Sequence, residues 1–169
     1  MTFVPRTRQS VTQTRIPRGD VGVLTTVEVM KRLARERTPL LAETAGHIVW
    51  HAGGGVAGGV RGVRDFVTGL VRYVADPWNS EVVRSPTYML RRIEAAGYAY
   101  GDCDDMATLA GALALAMGIP ARLVLVGFNG GSLEHVYTEL WAPDGWVTVD
   151  PARPADWTLP PDPIVRVPL

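Results

Sequence analysis

The hydrophobic period of this chain changes at Gly118-Ile119-Pro120, and that change confines the fold to a helical part followed by a sheet. Before it, apolar residues recur at three and four positions, as in Val63, Phe66, Val67, Leu70, Val71 and Val74 or Met106, Leu109, Ala110, Leu113 and Met117; this is the spacing of helices with one apolar face. After it, Arg122 to Phe128, Glu134 to Trp141 and Trp146 to Asp150 read as strands. The last two are joined by the turn residues Ala142-Pro143-Asp144-Gly145.

Punctuation residues place further boundaries. A helix is expected from Thr25 or Thr26, with Val29, Leu33 and Arg37 on its spacing, a break at Thr38-Pro39, and a second piece through Leu40, Ala45, Ile48 and Val49. The run from Gly53 to Gly59 reads as a flexible break between helices; no Gly-Lys-Ser/Thr follows it, which excludes a phosphate loop. The next helix is expected to stop before Asp76-Pro77, and a short one to open at Ser85-Pro86 and close at Gly97. Three parts follow: an extended arm over 1–24, a single domain over 25–152, and a proline-rich tail over 153–169 running extended on the surface.

At 169 residues, 47% of them apolar, the chain can bury one ordinary core. Its single cysteine excludes an intramolecular disulfide. The formal charge is zero but uneven: residues 1–37 hold eight Lys and Arg against three Asp and Glu, the remainder nine against fourteen. Without aromatic interleaving, the basic arm does not read as a nucleic-acid module. The start lacks the apolar run of a signal peptide and no segment suits a bilayer, so the expectation is a protein cytoplasmic when made, with no membrane partner.

The one cysteine, Cys103, lies in Gly101-Asp102-Cys103-Asp104-Asp105 at a helix start, with Asp102 a suitable N-cap. A thiol in a first helical turn feels the positive end of the helix dipole, which the flanking aspartates oppose. If Trp141 faces Trp146 across the turn, Tyr137 faces Asp150, and His135 becomes the diagonal neighbour of Asp150 on the same face. Asp150 can then hold one imidazole nitrogen while the other addresses the thiol, the order of a Cys-His-Asp site. A slip of one residue would place the two on opposite faces.

These residues carry a resemblance. Gly101-Asp102-Cys103-Asp104-Asp105, the helix end Gly118-Ile119-Pro120, Glu134-His135-Val136-Tyr137 and Trp146-Val147-Thr148-Val149-Asp150-Pro151 resemble the transglutaminase-like cysteine protease superfamily over roughly residues 60–152. Tyr73 to Pro77 with Glu81 to Pro86 is similar to its small phage and prophage members. The resemblance implies an α+β, papain-like fold, with N-terminal helices and the cysteine helix packed on a small antiparallel sheet. It implies Cys103, His135 and Asp150 as a triad in a cysteine-dependent amide hydrolase or acyl transferase acting on a peptide or protein amide. The oxyanion would take the Cys103 amide and one donor among Asn79, Trp78 and Tyr100.

No cofactor or metal is expected. Glu43, His47 and His51 fall four residues apart on one helical face and form a rival metal site, although the zincin pattern is absent. The other alternative is a structural or assembly component of a phage virion or tail that keeps the fold with little or no catalysis, meeting partner proteins through residues 1–24 and 153–169.

Overall fold

The computed structural model describes residues 11–14, 20–77, 81–152 and 160–169. In chain order the elements are β1 (Val11–Thr14), α1 (Asp20–Ala34), α2 (Pro39–His51), α3 (Gly55–Leu70), β2 (Val71–Tyr73), β3 (Glu81–Arg84), α4 (Pro86–Ala96), β4 (Ala99–Gly101), α5 (Cys103–Ala116), β5 (Ala121–Phe128), β6 (Leu133–Ala142), β7 (Gly145–Val149) and β8 (Pro161–Pro168). Helix α5 is the axis around which they pack. Every residue from Asp104 to Ala114 is buried, so a helix whose sequence shows an apolar stripe is in fact covered all round, as its Ala- and Leu-rich composition allows.

Two clusters provide that cover. On one side Leu109 and Leu113 pack with Leu41 and Ala45 of α2, Val63 and Val67 of α3 and Met89 of α4. On the other, Ala107 meets Val27, Met30 and Leu33 of α1 and Leu123, Leu125 and Val136 of the sheet. Each fully buried Leu stabilises the fold by roughly 2 kcal/mol relative to exposure.

The sheet is antiparallel, in the order β7-β6-β5-β8. Two smaller pairings flank it, β1 antiparallel to β3 and β2 parallel to β4. Local chemistry fixes the helix ends: the Thr38 hydroxyl accepts from the Leu41 amide at 3.3 Å, the Ser85 hydroxyl from the Tyr88 amide at 3.2 Å, and α4 stops on Gly97 at φ 80°.

Four boundaries differ from the sequence expectations. Helix α1 begins at Asp20, inside the stretch read as arm, and residues 11–14 of that arm form β1. The glycine run breaks the chain only at Gly53 and Gly54; α3 starts at Gly55 and takes in Gly58 and Gly59. Those glycines serve close approach. A Cβ on Gly58 would lie 2.8 Å from the Ala52 carbonyl oxygen, and one on Gly59 would lie 2.9 Å from Ile119 Cδ1.

Helix α3 ends at Leu70, and Val71 to Tyr73 pair with β4 instead of continuing to Val74. Valine at 71 satisfies a helical and a strand pattern equally, so spacing alone did not separate them. Finally, the tail from Pro161 to Pro168 is a strand of the main sheet, paired with β5 from Arg122↔Pro168 to Phe128↔Pro161. Its prolines fit because β8 is an edge strand among the described residues. Leu169 beyond it seats over Gly111, where a Cβ would stand 2.3 Å from Leu169 Cδ1.

Candidate active site

Strand β4 runs into α5 through Gly101 and Asp102, which places Cys103 at the first helical position. Only glycine fits at 101, since a Cβ there would lie 2.7 Å from Asp105 Cβ. Strand β6 lies alongside: the buried Thr138 hydroxyl donates to the Ala107 carbonyl at 2.8 Å, tying the cysteine helix to the histidine strand.

The β6–β7 register is the one expected, Trp141↔Trp146 through Thr138↔Val149. It brings His135 to Asp150, with Nε2 at 3.0 Å from one carboxylate oxygen and 3.1 Å from the other. Both side chains are largely enclosed, at 12% and 6% exposure. The bond to Nε2 turns Nδ1 to the opposite side of the ring. Cys103 and His135 line the same cavity, of about 270 Å³, whose far wall is α1 through Val23, Val27 and Met30. That wall and Glu81, another lining residue, carry no sequence signal: they reach the site only through the tertiary fold.

The thiol side is electrostatically adverse. Burial, then the charge of Asp102 and that of Glu81, push the Cys103 thiol up to about 12, against the pull of the Val136 and Asp104 backbone amides directed at the sulfur. Asp102 occupies the N-cap position but its side chain makes no capping bond, contrary to the expectation that capping would occupy it. Asp105 accepts from the Arg84 amide at 2.6 Å and also from its guanidinium. Burial outweighs these donors and holds its carboxyl at about 7. Burial lowers Arg84, but Asp105, Asp76 and Asp102 more than offset it, so the guanidinium stays firmly charged.

Asp104 is raised well above the usual carboxylate range by burial and by the neighbouring Asp102, Asp105 and Glu81. No donor group reaches its oxygens; they lie against the carboxyls of Asp102 and Glu81. Glu81, raised by burial first, lies against it.

Carboxylate oxygens of Asp102, Asp104 and Asp105 lie within 4.8 Å of one another, and these residues could hold a hard cation. Among the described residues no other His, Cys, Asp or Glu cluster has that geometry. Glu43, His47 and His51 therefore do not converge as a metal site; they line a separate groove with Asp65 and Glu94. Of the oxyanion candidates, Trp78 and Asn79 lie outside the described residues. Tyr100 is exposed on β4, its ring edge-on to Tyr98 at 5.2 Å, and is not part of the cavity wall.

The chain belongs to the transglutaminase-like superfamily, whose sequence profile matches residues 55–151. Two solved structures with TM-scores above 0.5 agree on the fold. A candidate cysteine protease from Cytophaga hutchinsonii superposes with a TM-score of 0.54 at 20% identity, covering 83% of this chain and 46% of that one. A candidate protease from Parabacteroides distasonis gives 0.58 at 15% identity, covering 89% and 32%. Calcium-bound LapG of Legionella pneumophila gives 0.49 at 19% identity, covering 80% and 81%. The chain thus spans about half and a third of the length of the first two. No curated protein sequence matches it. Among the described residues no helix is long and apolar enough to cross a membrane.

Proposed function

We propose that this chain is a cysteine-dependent amide hydrolase or acyl transferase with Cys103 as nucleophile, His135 as acid and base, and Asp150 as the group that orients His135. The observation that carries this reading is the His135 Nε2–Asp150 contact at 3.0 Å beside a cavity that Cys103 shares. Asp150 accepts from Nε2–H, which leaves Nδ1 as the proton acceptor for the thiol. As that proton moves to Nδ1, the sulfur attacks the amide carbonyl, and in this reading the Cys103 backbone amide donates to the developing oxyanion. Collapse expels the amine, which takes the proton from His135 and leaves a thioester. Water then gives the acid, or a second amine gives a new amide, with His135 accepting the proton of either.

The test is the pH dependence of Cys103 alkylation by iodoacetamide in the wild type and in His135→Ala. A reactive fraction that appears well below the thiol's own titration and is lost with His135 supports the dyad. A profile unchanged by the substitution overturns it.

One observation favours a second reading, an assembly component such as a virion or tail protein that keeps the fold with little catalysis. The resting thiol is held at about 12, and an inert profile in the same experiment would support that role.

A further inference from the structure

Resting on the reading above, we propose that the acidic floor of the Cys103 cleft receives a cationic side chain of the acyl donor, a lysine or arginine next to the reacting carbonyl. Around the thiol the cavity wall carries three carboxyl groups, those of Glu81, Asp104 and Glu134, and among the described residues it carries no Lys or Arg. Asp104 is only 3% exposed, and its oxygens meet no donor group, only the carboxyls of Asp102 and Glu81. A carboxylate so buried needs an opposite charge or a proton, because its desolvation is otherwise uncompensated.

Among the described residues the cation held by this acidic group is already engaged: Arg84 pairs with Asp105 and reaches Asp76 at 3.5 Å. The vacancy in the charge balance is therefore on the cleft side of the carboxylates, where a ligand enters. The approach to it is apolar, through Val23, Val27, Met30 and Leu125. Apolar walls leading to buried acids suit a side chain with a methylene stem and a charged head.

Three small alkylating agents of different charge test this: 2-bromoethylamine, iodoacetamide and iodoacetate, each compared with its rate on free cysteine. On wild-type protein at low salt the cationic reagent should gain at least about tenfold over the anionic one, a difference of about 1.4 kcal/mol. The gain should shrink in Asp104→Asn and in Glu81→Gln; the latter residue is only partly buried, so its variant keeps the test open if the first does not fold. Peptidyl acyloxymethyl ketones that differ only in lysine against norleucine should label Cys103 with the same preference.

A ratio equal to that of free cysteine, with equal labelling by the two ketones, overturns the inference even where iodoacetamide labelling depends on His135. The ratio is read on any thiol reaction, so loss of the His135 dependence strikes the catalytic reading and not this one. If millimolar calcium or magnesium raises the melting temperature and erases the preference, the floor belongs to a metal ion and the inference falls.

Discussion

The two walls of the cleft are built on opposite terms. On the sheet side, His135 and Asp150 are satisfied by each other, held by a regular hairpin whose every pairing from Trp141↔Trp146 to Thr138↔Val149 is in register. On the helix side, Cys103 stands among Asp102, Asp104 and Glu81, with Asp104 and one oxygen of Asp102 buried and reached by no donor group. The first wall is complete without a ligand. The second needs either protons on its carboxyls or an opposite charge beside them. One wall is thus geometrically and electrostatically settled while the other concentrates buried acid, and the two should respond differently to substitution.

The largest effects are expected on the finished wall. His135→Ala should lower kcat/KM on any amide or thioester substrate by about 10³-fold, and Asp150→Asn, which keeps the contact but not the charge, by about 10²-fold. Equal activity in the wild type and both variants would break the contrast by removing the base. Next comes the ion pair beneath the unfinished wall. Asp105→Ala strands a partly buried Arg84 and should cost about 3 kcal/mol in denaturant unfolding; a loss under about 0.5 kcal/mol would mean that the pair is solvent-screened.

Proton linkage sharpens the contrast further. Asp76, Glu81, Asp104 and Asp105 all have folded-state values raised above their ordinary ones, Asp105 to about 7. A raised carboxyl binds its proton more tightly in the folded chain, so its stabilisation is full below the unfolded value and is lost as pH rises through the folded one. The melting temperature should be higher at pH 5 than at pH 8, by roughly 5 °C, and Asp104→Asn should flatten that slope. A rising slope over the same interval would contradict the uncompensated charge. The smallest effect concerns the joint between the walls: Thr138→Val removes the bond to the Ala107 carbonyl and should cost about 1 kcal/mol, with a loss of nucleophile–base coupling in the alkylation profile.

The finished wall is also the one that could be read in the sequence. Turn residues at 142–145 set the hairpin register, and register alone placed His135 by Asp150. The helix boundaries at Thr38-Pro39 and Ser85-Pro86 and the long apolar pattern of α5 were legible for the same reason: each is decided within a few neighbouring residues. What escaped depends on distant partners. The cover of α1 over the cleft joins residues 22–30 to Cys103, and Glu81 reaches Asp104 of α5 from strand β3. The tail's place in the sheet follows from β5, which supplies an open edge that proline can tolerate. Glycines 58 and 59 look like a hinge locally and act as packing surface only once α2 and Ile119 lie against them.

The hairpin that carries the base also carries two indoles. Trp141 and Trp146 face each other across β6 and β7 with ring centroids 5.2 Å apart and planes at 68°, close enough for their electronic transitions to couple. Circular dichroism of this chain should therefore contain an exciton couplet that Trp146→Phe removes. Because the same pairing decides whether His135 meets Asp150, that couplet is an optical gauge of site assembly, readable without a substrate.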